Sequence, residues 1–330
     1  MSGSRGQAHM LGTVASYIAV ASALPYLALK MVWLAGGRLG VADTGMMRDT
    51  SMVVLNAVTA GMDLAGIFLA LAFASTWGLR VPAWLLLPTM WVATGLLARF
   101  IVAVPIVAVA SWLVPGAVPR VTGGPVESWV YAVVYTGFMG VGVGLTVAFC
   151  CYVSVRWPAI FNRSVIPLSQ IPTRRLQLAL ANTATVIAAL PAVILLAWAL
   201  GATVGLGTAA IAGRTMVGSL INGIDAALMI AGAFGIQLMV RSQHLGRQSW
   251  VPVVLTWIGS GSMFGWGLWQ VGNLLGQSAL MRGLEHQPLI NLVGLARLIA
   301  GLVVGQLMLF VLAERVPAMP ADQESPLAIR

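Results

Sequence analysis

Five ionisable residues stand inside long apolar runs of this sequence: Lys30, Asp63, Arg99, Asp225 and Arg297. A charge at the centre of a bilayer costs at least about 2.5–3.5 kcal/mol, so such residues pair with one another, face a bundle interior or line water. Carboxylates set against ammonium or guanidinium groups can therefore hold helices in register, conduct a proton or cation, or frame a site for an anionic ligand. Lys30 is the only lysine among 18 basic residues. Unlike arginine, a desolvated lysine can release its proton. Its long side chain, close to the end of a run, could instead snorkel to the headgroups. Asp63 and Asp225 are too short for that. Asn56 and Asn222 accompany them, and Asn222 and Asp225, three apart, share a helix face.

Tryptophans form the second constellation. Trp84 and Trp91 have the same spacing as Trp250 and Trp257, which places each pair on nearly one helical face. Trp84 and Trp250 fall at a membrane interface, where aromatic belts form. Trp91 and Trp257 are deeper, and Trp266 and Trp269 continue the line. Helix packing is the first reading of these rings. An aromatic wall for an apolar ligand is the second. The sequence holds no His-Glu-x-x-His, no Gly-x-Ser-x-Gly and no Walker loop. The three histidines, His9, His244 and His286, lie outside the apolar runs. No catalytic residue, metal or cofactor is expected from these patterns.

These residues recur in pairs. Leu24-Pro25 is echoed by Leu190-Pro191, Asp63 by Asp225, and Trp91-Val92-Ala93-Thr94-Gly95 by Trp257-Ile258-Gly259-Ser260-Gly261. Arg156-Trp157-Pro158 is echoed by Arg315-Val316-Pro317. Each pair is separated by roughly 160–166 residues, about half of the chain.

The elements that carry them must span a membrane. Hydrophobic residues are 59% of the chain, charged residues 8% and the mean hydropathy is +0.92. A soluble domain carries about 25% charged residues. Eight runs suffice to cross about 30 Å of hydrocarbon as helices: 11–35, 52–76, 83–113, 128–155, 178–201, 216–240, 250–276 and 289–313. Segments of about ten alternating residues, the mark of a transmembrane barrel, are absent. Span 83–113 contains Pro88 and Pro105 and is expected to tilt, kink, project or split in two. Four spans per half make the repeat parallel: both halves enter from one side. The expected class is an all-α integral membrane protein of eight transmembrane helices in two parallel four-helix repeats. Residues 1–155 form the first, 156–177 an interfacial linker, 178–317 the second and 318–330 a tail.

Arginines orient the chain. Ten lie on the side of the termini (Arg5, Arg80, Arg156, Arg163, Arg174, Arg175, Arg241, Arg247, Arg315, Arg330) and five opposite (Arg38, Arg48, Arg120, Arg214, Arg282), which places both termini in the cytoplasm. This bias also accounts for the net charge of +9, so nucleic acid is not an expected partner. Membrane lipids and other membrane subunits are. Small residues four apart (Gly140 and Gly144, Gly201 and Gly205, Gly261 and Gly265, Gly301 and Gly305) suit close helix packing. The adjacent Cys150 and Cys151 read as apolar filler rather than a disulfide.

The stretch Ala23-Leu24-Pro25-Tyr26-Leu27, followed by Lys30 and Trp33, resembles uncharacterised polytopic membrane proteins of high-GC Gram-positive bacteria. So does Val81-Pro82-Ala83-Trp84 followed by Trp91-Val92-Ala93-Thr94-Gly95-Leu96-Leu97. The resemblance covers mainly the first half. It implies a bacterial plasma membrane and brings no activity with it. The function expected is a transport or permeation component, with a structural or regulatory membrane subunit as the alternative and a membrane enzyme third. The orientation predicts that a cysteine introduced by Val165→Cys stays unlabelled by an impermeant reagent in intact cells. Labelling from outside would invert the topology.

Overall fold

The computed structural model describes residues 2–113, 125–157, 171–242, 250–276 and 287–315. Eight helices in it are long and apolar enough to cross a membrane. We label them α1 (Ser2–Leu34), α2 (Thr50–Ala74), α3 (Ala83–Leu113), α4 (Ser128–Arg156), α5 (Arg174–Ala199), α6 (Met216–Arg241), α7 (Trp250–Leu275) and α8 (Pro288–Arg315). The chain is an all-α polytopic membrane protein, and no strand occurs among the described residues.

Boundaries differ modestly from those expected. α1 begins near the N-terminus rather than at residue 11, and α5 begins at Arg174 rather than 178. Arg156 still belongs to α4, so both ends of the expected linker are helical; its centre, 158–170, lies outside the described residues, as do the tail, His244, His286, Arg163, Arg247, Arg282 and Arg120. α3 runs through Pro88 and Pro105 as one helix and does not split.

The connections within each half share details that hydropathy does not show. After α1, Gly36 and Gly40 take positive φ of 87° and 68°; after α5, Gly201 and Gly205 take 108° and 71°. Only glycine adopts such angles without strain. The Trp33 indole donates to the Leu39 carbonyl at 2.8 Å and the Trp198 indole to the Val204 carbonyl at 3.0 Å, each six residues on. A short helix follows in both, at Thr44–Met47 and Thr208–Ala212. An N-cap then opens the next long helix: the Asp49 carboxylate accepts from the Ser51 amide, and the Thr215 hydroxyl from the Gly218 amide. Gly201 and Gly205 thus shape a turn and do not pack a helix face, which corrects the expectation for that pair.

In each half the first helix packs on the second and fourth, and the third on the fourth. Gly140 and Gly144 admit α1 side chains and backbone at Ser22, Ala15 and Ala19. Gly301 faces the Phe264 backbone across α7–α8. The halves meet chiefly through α3, which packs along α7 and touches α6. There, a Cβ on Gly95 would stand 2.0 Å from the Gly261 carbonyl carbon. The packed core sits toward the C-terminal half: 56% of the most apolar stretch of α6 is buried, against 22% of that of α1. Cys150 and Cys151 are free thiols.

Gly95→Val should separate α3 from α7, because backbone occupies the space. The loss expected is about 1–3 kcal/mol, read as a lower unfolding midpoint and reduced monodisperse yield. Gly61→Ala, with nothing within 4 Å of a new Cβ, should stay within about 0.5 kcal/mol of the parent.

Candidate functional site

All five embedded charges are paired, in two clusters. The first joins α1 to α2. Lys30 Nζ donates to Asp63 Oδ2 at 2.7 Å and lies 3.8 Å from the Tyr26 ring centroid. The Lys30 side chain is wholly buried, so it does not snorkel. An ammonium facing a carboxylate and a π face has its charge answered on two sides.

The second cluster joins the halves. Asp225, on α6, is buried between two arginines from different halves. Arg99 of α3 grips it with both ends of its fork, Nε to Oδ1 at 3.0 Å and Nη2 to Oδ2. Arg297 of α8 approaches Oδ2 with Nη2 at 2.9 Å. The Arg99 guanidinium also lies 3.4 Å above the centre of the Trp266 ring. Asp225 and Arg297 each stand about nine residues into their helices, so the cluster lies about 14 Å along the axis from the end opposite the termini.

Aromatic rings connect the clusters. Tyr26 meets Phe138 edge-on at 5.5 Å, Phe138 meets Phe100 at 4.9 Å, and Phe100 meets Trp266 at 5.8 Å. None of Tyr26, Phe100 and Phe138 was singled out as part of a site from sequence. Their signal was weak: isolated aromatic residues in apolar runs are ordinary packing residues.

The four tryptophans expected to form a wall go to different places. Trp91 donates to the Ser260 hydroxyl at 3.0 Å, and Trp257 donates to the Thr94 hydroxyl at 2.9 Å. These are reciprocal bonds between α3 and α7, made by the third residue after each tryptophan. Trp91 stacks on Phe264 and Trp257 on Phe149. Trp266 belongs to the charge cluster. Trp269 makes no ring contact among the described residues. The reciprocal bonds were legible in principle, since Trp-x-x-Thr-Gly and Trp-x-x-Ser-Gly stand in both halves, but only pairing α3 with α7 reveals them.

The paired aspartates occupy the second long helix of each half, yet their partners are not paired. Asp63 is served from within its own half. Asp225 takes one partner from each half. No group of three metal-binding side chains occurs among the described residues. No family model, no curated protein and no solved structure matches this chain.

Lys30→Met should strand Asp63 and cost about 3–5 kcal/mol, seen as lost folded yield. The double variant Lys30→Met/Asp63→Leu should recover much of that yield. A double variant no better than the single would show that the pair does not carry the effect.

Proposed function

We propose that this polytopic membrane protein is a transport or permeation component for a small solute or ion. It is read as two parallel four-helix units, residues 1–155 and 178–317, in a bacterial plasma membrane with cytoplasmic termini. The observation that carries the reading is the Arg99–Asp225–Arg297 cluster, where three charges from both halves meet within the membrane-spanning helices. Transporters built from repeats place substrate and coupling-ion sites at the repeat interface. Two further observations support the duplication: the matching turns after α1 and α5, and the reciprocal indole–hydroxyl bonds between α3 and α7. Reciprocal contacts of this kind are what a two-fold relation produces.

A second reading, a structural or regulatory membrane subunit, is favoured by the Lys30–Asp63 pair. That pair is closed within one half and needs no ligand to answer its charges.

Flux separates the two. Purified full-length protein in liposomes, tested with a panel of labelled ions, small solutes and protons, should carry at least one of them. In the protein that folds, Asp225→Asn should abolish that flux or its pH dependence, although stranding two guanidiniums lowers yield. Absence of flux from the parent protein for every solute tested would favour the structural reading.

A further inference from the structure

The charges at the seam do not balance, and that imbalance identifies a ligand class. Arg99 and Arg297 bring two positive charges, and Asp225 brings one negative charge. Arginine keeps its proton in proteins, so the excess is not relieved by deprotonation. Among the described residues no second carboxylate reaches either guanidinium. The Arg297 side chain is 5% exposed and Asp225 2%, so water screens the excess poorly.

Hydrogen bonding repeats the mismatch in a different currency. Arg297 Nε is buried with no acceptor, and its Nη2 faces Asp225 outside good hydrogen-bond geometry. Trp266 Nε1 is likewise buried without an acceptor, on the ring that Arg99 covers. All of these orphaned groups are donors. Buried donors without acceptors are rare and costly, and a missing acceptor is the direct remedy.

We infer that the seam between the halves binds one small monoanion of halide or formate size, held by Arg297 Nε, the Arg99 guanidinium and Trp266 Nε1. One negative charge restores neutrality. A small anion accepts several N–H bonds at once. A multiply charged phosphate would overshoot neutrality. Asp225 then sets the strength of binding by cancelling one of two positive charges.

The inference deepens the transport reading, on which its functional meaning rests, but binding is measured apart from flux. The full-length protein in zwitterionic nanodiscs is unfolded thermally while sodium gluconate is exchanged for sodium chloride, nitrate or formate at constant ionic strength. The midpoint should rise by about 3 °C or more at saturation with the small anions. Arg297→Gln, which makes the cluster neutral, should lose the rise. Arg297→Lys should keep a rise, and Asp225→Asn should reach it at lower anion concentration. If a variant does not fold, line broadening of the chloride NMR signal by the parent protein, reversed by excess nitrate, decides instead. Equal midpoints in all four salts with no broadening would overturn the site. So would an equal rise in Arg297→Gln. A rise produced by anionic lipid already in gluconate, with no further rise on adding chloride, nitrate or formate, would assign the acceptor to an anionic headgroup and overturn the free anion. Stabilisation without flux of any solute would keep the site and remove the transport reading; flux without anion-dependent stabilisation would do the reverse.

Discussion

Hydrocarbon gives a carboxylate or a guanidinium nothing to bond, so each polar group within a span must find its partner in the protein. The arrangement of this chain follows from that. Lys30 reaches Asp63, and Arg99 and Arg297 converge on Asp225. Several hydroxyls meet the same demand, though those of Ser16 and Ser262 are buried without a partner among the described residues. Thr94, Thr146 and Ser111 donate to the carbonyls four residues back in their own helices. Thr94 can then accept from Trp257, so one hydroxyl serves its own helix and a neighbour. Ionic and hydrogen-bonded contacts thereby decide which helices adjoin.

Close packing then determines how near they come. Lipid tails are as apolar as leucine, so little hydrophobic force draws one spanning helix to another. Attraction depends on backbone approach, and glycine permits it. Gly95 against Gly261, Gly232 against Gly259 and Gly267 against the Leu298 backbone are all approaches that a Cβ would obstruct. They concentrate on α7, which touches α3, α6 and α8. The reciprocal tryptophan bonds lie in the same contact as Gly95 and Gly261. Packing and hydrogen bonding thus reinforce one another along α3 and α7, while the charge cluster couples α3 to α6 and α8.

The two halves share the turn and cap after their first helix and the packing of that helix on the second and fourth, but α6 lies along α7 while α2 scarcely touches α3, and the embedded charges are paired differently. Asp63 has a lysine within its half and needs nothing from the other. Asp225 draws on both halves and is left with more positive charge than it can answer. The first arrangement ties α1 to α2. The second ties α3 to α6 and α8 and leaves buried donors on Arg297 unmatched among the described residues.

Local sequence determined much of this. Eight apolar runs set eight helices, because span length and backbone satisfaction leave no other choice for such a composition. Embedded charges had to pair, since leaving any one alone is costly. Most of the four-residue glycine spacings marked helix contacts, as close approach requires small residues on one face. Other features needed the tertiary structure. Gly201 and Gly205 have packing-motif spacing but form a turn, because the helix ends before them. Trp91, Trp257, Trp266 and Trp269 share a sequence rhythm, yet they part company once α3 meets α7 and Arg99 settles over Trp266. Above all, the sequence offered Lys30, Arg99 and Arg297 as partners for Asp63 and Asp225 without saying which pairs with which. Periodicity and hydropathy are properties of one helix, whereas the partner of a buried charge depends on which helices adjoin and at what depth.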